Sequence, residues 1–335
     1  MKIDFNRVWA IASLLTLGLS GAAHAQGTTT WEDTVVYVAA NGTGKLLETT
    51  STNGVNWTSS YALNGQTTKF APAMADTSDG DLVAAYVASN GSNDLFTTLE
   101  TGWEEWSSSY PVTEGSSKTV QSSKTAPALA DFTNDELFLA YVANNSSDDL
   151  LVTSSVDGIN WSNPSLVGGQ SSSMAPALAD LGGELVMAYV ANNGSNDLLT
   201  TLSSNGTSWT SSYLVGGQSS RATPALAAFY NELVMVYVAN NGSNQLYVTT
   251  STDGIHWTTS TAITGQFSDT APSLAVTGNA NGTYSLVLTY VSTNGSDDLL
   301  VTTSTNGVNW TTSTPISNQS TTIAPALNVT GSYNP

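Results

Sequence analysis

The chemistry open to this chain rests almost entirely on carboxylates. Its 335 residues carry 26 Asp and Glu against 7 Lys and Arg, with 2 His, no Cys and a formal net charge of −19. Without cysteine there is no disulfide, no thiol nucleophile and no Cys-ligated zinc. Beyond the first 25 residues the only imidazole is His256, so a Ser-His-Asp triad would depend on that one ring. A phosphate-cradling Gly-x-x-x-x-Gly-Lys-Ser/Thr is absent. The acidic excess excludes nucleic acid and anionic membrane surfaces as partners, because both need clustered Lys and Arg. A carboxylate pair for glycoside hydrolysis stays open. Such a pair should stand outside the repeated positions described below, where the chain offers Glu104, Glu105 and Glu114. They flank a connection, Trp106 to Pro127, of 21 residues, against 15 between the corresponding landmarks elsewhere. With Lys118 and Lys124 this loop is the candidate for specialised function; its plainer reading is a tolerated surface insertion.

The elements that must position these groups repeat six times. Tyr37, Tyr86, Tyr141, Tyr189, Tyr237 and Tyr290 each stand before Val, and a Trp follows 20 residues later in every copy: Trp57, Trp106, Trp161, Trp209, Trp257 and Trp310. An Ala-Pro-Ala-Leu-like phrase marks Pro72, Pro127, Pro176, Pro224, Pro272 and Pro325. Repetition at about 50 residues with strand-like content signals a repeat architecture. In the fourth copy, residues 175–179 read as a small apolar strand, 184–191 as a strand apolar on both faces, 197–202 as a third, and 209–214 as a Ser/Thr-rich outer strand. Helical periodicity is absent. The expected fold is all-β: a six-bladed β-propeller of four-stranded antiparallel blades. An open solenoid is the alternative. The ends decide against it: residues from Trp31 begin with a second strand, and residues 324–329 are a first strand with no unit after them. The C-terminal strand should complete the N-terminal blade and close the ring.

Residues 1–25 read as a Sec-type export signal. Lys2 and Arg7 precede an apolar run from Val8 to Leu19, and Ala23-His24-Ala25 makes a cleavage site before Gln26. The run is shorter than the roughly 20 residues of a spanning helix, the other reading. The expected product is a single domain, 26–335, in the periplasm of a bacterium or secreted from it, with no membrane insertion.

Between the third and fourth strands the chain writes Ser51-Thr52-Asn53-Gly54-Val55-Asn56-Trp57, again Ser155 to Trp161, Ser203 to Trp209, Ser251 to Trp257 and Ser304 to Trp310. This resembles the Asp-box of bacterial sialidases and their non-catalytic propeller relatives, Ser-x-Asp-x-Gly-x-x-Trp. It departs by being one residue shorter, by Asn at three acidic positions (Asn53, Asn205, Asn306), and by a degenerate second copy, Glu100 to Trp106. The resemblance implies that these turns hold the fold at the rim, away from ligand, and His256 falls inside one of them. It also implies that sialidase chemistry requires three arginines on the substrate carboxylate, a Tyr/Glu nucleophile pair and an Asp acid/base. After residue 25 the chain has only Arg221, so it lacks the triad.

By the same resemblance, ligands meet the face formed by the second-to-third-strand turns and the fourth-to-first-strand loops. There the candidate binding residues are Asn145, Asp148, Asp149, Asn193, Asn196, Asp197, Gln218, Arg221, Asn241, Asn244, Asp297 and Asp298, with Gln170 and Gln266 beside them. Amides and carboxylates of this kind match the donors and acceptors of a glycan or polysaccharide, and six similar sites would gain by avidity. Asn-Gly-Ser also simply makes good turns. No cofactor is called for, although Asp148-Asp149 and Asp297-Asp298 are suited to Ca²⁺. The function expected is an exported, non-catalytic, lectin-like propeller. The alternatives are an extracellular glycoside hydrolase of the sialidase-like superfamily and a surface scaffold for other proteins.

Overall fold

The computed structural model describes residues 2–3, 28–77, 80–102, 105–115, 117–133, 136–279 and 282–334. The expected export signal, apart from Lys2–Ile3, lies outside them, as do Trp103 and Glu104. The described chain forms six antiparallel sheets and no helix, so none is long and apolar enough to cross a membrane. Blade 4 is representative, with strands Ala177–Asp180, Leu185–Val190, Asp197–Ser203 and Tyr213–Ser219 from the axis outward. Its second strand is buried at every position, as the two-sided apolar pattern required.

The ring closes as the orphan strands demanded. Ala326–Asn334 pairs antiparallel with Thr28–Val38, from Thr28 opposite Asn334 to Val36 opposite Ala326, and so becomes the innermost strand of blade 1. It also touches the innermost strands of blades 6 and 2, Ser273–Gly278 and Ala73–Asp76. Lys2–Ile3 adds a short pairing on its other edge.

The core is not one mass but six layers, each shared by two neighbouring blades. Val36 and Val38 of blade 1 pack with Ala84 and Tyr86 of blade 2, and Val35 and Tyr37 pack with Val287 and Leu299 of blade 6. Polar clamps run through these layers. The Tyr189 hydroxyl donates to Gln170 Oε1 of the preceding blade at 2.6 Å, Tyr237 to Gln218 at 2.7 Å and Tyr141 to Gln121 at 2.6 Å. Tyr37–Gln319 and Tyr290–Gln266 repeat the bond. A buried phenol keeps its proton, and burial pushes these tyrosines up from their ordinary value.

The outer strand corrects the sequence reading. Blade 4's fourth strand is Tyr213–Ser219, not 209–214. Thr210 sits beside the third strand without joining the regular ladder: its Oγ1 accepts the Leu202 N–H at 3.0 Å and its N–H bonds Leu202 O at 2.9 Å. The ladder then bulges between Asp197 and Leu199, with Gly216 and Gly217 at positive φ. In blade 2 the outer edge breaks into two short pieces, Glu105–Trp106 and Tyr110–Pro111.

The Asp-box turns are self-contained. Asp157 Oδ1 accepts the N–H groups of Ile159 at 2.9 Å and Asn160 at 2.7 Å. Asn53 accepts those of Val55 at 3.0 Å and Asn56 at 2.8 Å, so an amide oxygen serves where the family has a carboxylate. Each turn glycine is left-handed, and those of blades 3 to 6 lie against the preceding blade. At Gly206, with φ of 69°, a Cβ would overlap the Phe138 ring. Gly206→Ala is expected to cost about 2–4 kcal/mol by adding that clash to the backbone strain. Urea unfolding midpoints of the two proteins measure it.

Candidate functional site

Three places gather functional groups: the turns of the upper face, the two mouths of the central channel, and a groove at the seam of the ring.

On the upper face the predicted residues stand mostly bonded within their own turns. Asn193 Oδ1 accepts from Ser195 N at 3.1 Å and its Nδ2 donates to Asp197 Oδ2 at 3.1 Å. Bonds from Ser195 and Asn193 lower the Asp197 carboxyl below its ordinary value. Asn145 makes the same link to Asp149 at 3.0 Å. Asn241 Oδ1 accepts from Ser243, and Asp298 Oδ2 accepts from Ser296 Oγ at 2.5 Å. Asp148, Asn196, Asn244 and Asp297 take positive φ, which short Asx side chains tolerate in turns. Some contacts do cross between elements. Arg221 bonds Asn244 Oδ1, and Asp148 receives Lys124 and, from the next blade, Asn192 Nδ2 at 3.0 Å. Gln218 is different: its side-chain oxygen is committed to the Tyr237 clamp in the wall between blades. Among the described residues no three His, Asp or Glu side chains converge on a metal-sized site.

The long connection of blade 2 is a small hairpin. Thr113 bridges Val120, Glu114 N bonds Thr119 O at 2.9 Å, and Gly115 lies against Trp161 and Asn163 of blade 3. Gln121 then re-enters the common position under Tyr141. Glu114 is held by Ser117 in the hairpin, and Glu105 is exposed on the outer edge, so neither faces the channel. His256 is exposed, with Nδ1 2.7 Å from Asp253 Oδ2.

The upper mouth of the channel is lined by six copies of one phrase: Ala71-Pro72, Ala126-Pro127, Ala175-Pro176, Thr223-Pro224, Ala271-Pro272 and Ala324-Pro325, backed by Leu or Met. No ionisable side chain is among them. The lower part of the channel holds Asp76, Asp131 and Asp180 on three consecutive innermost strands, with Asn328 Nδ2 donating to Asp76 at 2.9 Å.

The third place escaped the sequence reading. Between the outer strand of blade 6, Thr314–Ser320, and blade 1 lies a groove of about 460 Å³, walled by Tyr37, Ala40, Asn41, Trp57, Asn318 and Gln319 among others. Two signals in the sequence point to it. Gln66, Gln121, Gln170, Gln218, Gln266 and Gln319 each stand six residues before the landmark Pro, a column as regular as the Tyr and Trp columns. And Ala40 breaks the column Ser89, Asn144, Asn192, Asn240, Thr293, three residues after each Tyr.

The family model of the BNR repeat-like domain matches residues 95–333. No curated protein matches the chain. Among solved structures, the Aleuria aurantia lectin in complex with Fucα1-6GlcNAc superposes with a TM-score of 0.64 at 15% identity, covering 89% of this chain and 97% of the lectin. An α-L-arabinofuranosidase of Fusarium graminearum, in complex with an iminosugar inhibitor, superposes at 0.60 with 14% identity, covering 79% and 92%. A Hadza microbial sialidase superposes at 0.54 with 13% identity, covering 78% and 63%. At these identities the likeness is one of fold.

Proposed function

Since the chain belongs to the BNR repeat-like domain family, we propose that it is an exported propeller that binds carbohydrate without transforming it. The observation that carries this reading is the upper mouth of the channel. Six Ala-Pro or Thr-Pro pairs line it, and they supply neither the acid pair of a glycosidase nor the cationic grip of a sialidase. Arg221, which alone could begin such a grip, is bonded to Asn244 on the turns. Donors and acceptors suited to hydroxyl groups are displaced to the periphery, where amide and hydroxyl side chains dominate. The fold likeness adds support, since proteins of this shape include a lectin bound to a fucosylated disaccharide and an arabinofuranosidase bound to an iminosugar.

The test is residues 26–335 on a glycan array, followed by titration calorimetry and a reducing-sugar assay on arabinan and sialyl glycosides. Saturable binding with no released sugar is expected. Silence across the array at millimolar sugar, or turnover, would overturn the proposal. The acids of the lower channel favour a second reading, a hydrolase working from the opposite face. If turnover appears and Asp131→Asn removes it, that reading replaces the first.

A further inference from the structure

We propose that the groove between the last and first blades is a sugar-binding site for a neutral pyranose. The proposal rests on the carbohydrate-binding reading above and assigns that reading a place, a stoichiometry and a class of sugar.

Bonds from the residue three positions after each Tyr cross the first four junctions. At the first, Ser89 Oγ bonds Thr67 Oγ1 at 2.7 Å and Ser89 N bonds Thr67 O at 3.2 Å. At the second, Asn144 N bonds Ser122 O at 3.2 Å, and the blade 2 hairpin lies over Trp161, which is only 4% exposed. At the third, Asn192 Nδ2 reaches Asp148. At the fourth, Asn240 N bonds Ser219 O at 3.2 Å. At the fifth, an exposed Phe267 stands where the other outer strands have Ser or Thr, and no such bond joins it to Thr293 among the described residues. At the seam, Ala40 occupies the bridging column and brings no polar side chain, and among the described residues no bond joins it to Ser320. The groove opens beside Ala40.

The exposed wall then has the chemistry of a sugar site. Trp57 is half-buried, and its Nε1–H, like those of Trp161 and Trp310, finds no acceptor among the described residues, whereas Trp209 and Trp257 tether theirs to their own turns at 3.1 and 3.3 Å. Its ring offers an apolar face for the C–H side of a pyranose. Gln319 is 8% exposed and lines the groove. Its Oε1 is taken by Tyr37, but its amide nitrogen donates to no described protein atom. The equivalent nitrogens of Gln66 and Gln266 are bound to the carbonyls of Ser107 and Thr311, each at 3.1 Å, while that of Gln170, like that of Gln319, donates to no described protein atom. That amide nitrogen of Gln319 is therefore available to an acceptor in the groove, and a sugar hydroxyl is one. Asn41, whose oxygen is held by Thr43, and Asn318, at φ of 60°, add amides at the rim. The volume lies within the roughly 300–1,000 Å³ of small-molecule pockets. No lining residue is charged, and a molecule of net charge −19 repels anions, so neutral hexosides are favoured over sialic or uronic acids.

Equilibrium dialysis with a panel of radiolabelled methyl hexopyranosides, alongside methyl sialoside and methyl glucuronide, tests this on residues 26–335. One neutral glycoside should bind at one equivalent per chain. Trp57→Ala should weaken it at least tenfold. Ala40→Asn, which restores the residue of blades 3, 4 and 5, should weaken it tenfold while leaving the melting temperature unchanged or higher. Trp209→Ala, at a closed junction, should leave binding intact. Binding by the parent that survives both Ala40→Asn and Trp57→Ala, a stoichiometry of several, or equal loss in Trp209→Ala would overturn the seam site while leaving carbohydrate binding standing. No binding of any panel sugar by the parent would overturn both.

Discussion

A chain ending at Pro325 is expected to lose cooperative folding altogether. The nine residues Ala326–Asn334 form the innermost strand of blade 1 and supply one whole ladder against Thr28–Val36. They also pin the two neighbouring blades. Leu327 N bonds Ser273 Oγ of blade 6 at 2.9 Å, and Asn328 bonds Asp76 of blade 2. Leu327 and Val329 are each about 5% exposed (6% and 5%) and Leu327 belongs to the layer between blades 6 and 1. At about 1.5–3 kcal/mol for each large apolar side chain returned to water, these two alone cost about 3–6 kcal/mol. The unpaired backbone of Thr28–Val36 and the uncovered faces of blades 6 and 2 add to that, against a net stability of only about 5–15 kcal/mol. Scanning calorimetry should show one transition for the full chain and none for the truncated one. A circular permutant separates closure from mere chain loss. Asn334 lies opposite Thr28, so a short hairpin loop can join them and new ends can open near Thr322. That permutant should melt within a few degrees of the parent. A truncated chain that melts where the parent does would remove the case for closure by this strand.

How much of this was legible in the sequence follows from one distinction. Columns that repeat in every blade, such as Tyr189, Trp209, Pro176 and Gln170, exist because every blade must pack on the next, and their spacing disclosed the ring and its closure. The upper-face turns were legible as turns, since Asn193 and Asn145 accept from the backbone just ahead of them. The outer strand was misplaced because Ser/Thr content marks an exposed edge without marking where its ladder begins; Thr210 belongs to the edge and not to the ladder. Individual character lies in the departures from columns. Ala40 is one, visible only when the six copies are set side by side, and its partner across the seam, Ser320, lies 280 positions away in the chain.

Two more departures sit in blade 1 and make its stability depend on pH. Asp33 stands where the other blades place Leu82, Leu137, Leu185, Leu233 and Leu286; Glu48 stands where they place Thr97, Val152, Thr200, Val248 and Val301. Both are buried, at 3% and 1% exposure. Burial pushes the Asp33 carboxyl from 3.8 up to about 6, against a bond from Thr277 and with help from Glu32. Burial likewise pushes Glu48 from 4.5 to about 7, with bonds from Tyr61 and Trp106 opposing and Glu100 and Glu32 assisting. A carboxyl that holds its proton more tightly when folded favours the fold at low pH. Its contribution is complete below the unfolded value, near pH 4, and is lost as pH rises through 6 for Asp33 and 7 for Glu48. At about 1.4 kcal/mol per pH unit, each displacement corresponds to about 3 kcal/mol. The Asp-box acids oppose this only at the acid end. Burial raises Asp157, but the bonds from Asn160, Ile159 and Ser155 together outweigh it and bring it to about 2, so its contribution fades only below pH 4. The melting temperature should therefore peak near pH 4–5 and fall by on the order of 10 °C by pH 8, taking about 2 °C per kcal/mol for a chain of this size. Asp33→Leu should raise the value at pH 8 and remove part of the slope. Glu48→Gln should remove another part while still accepting from Trp106 and Tyr61, so the double variant should melt almost independently of pH between 4.5 and 8. A parent equally stable at both ends of that range, or a double variant that keeps the parent's slope, would mean that the two acids are not what makes blade 1 sensitive to pH.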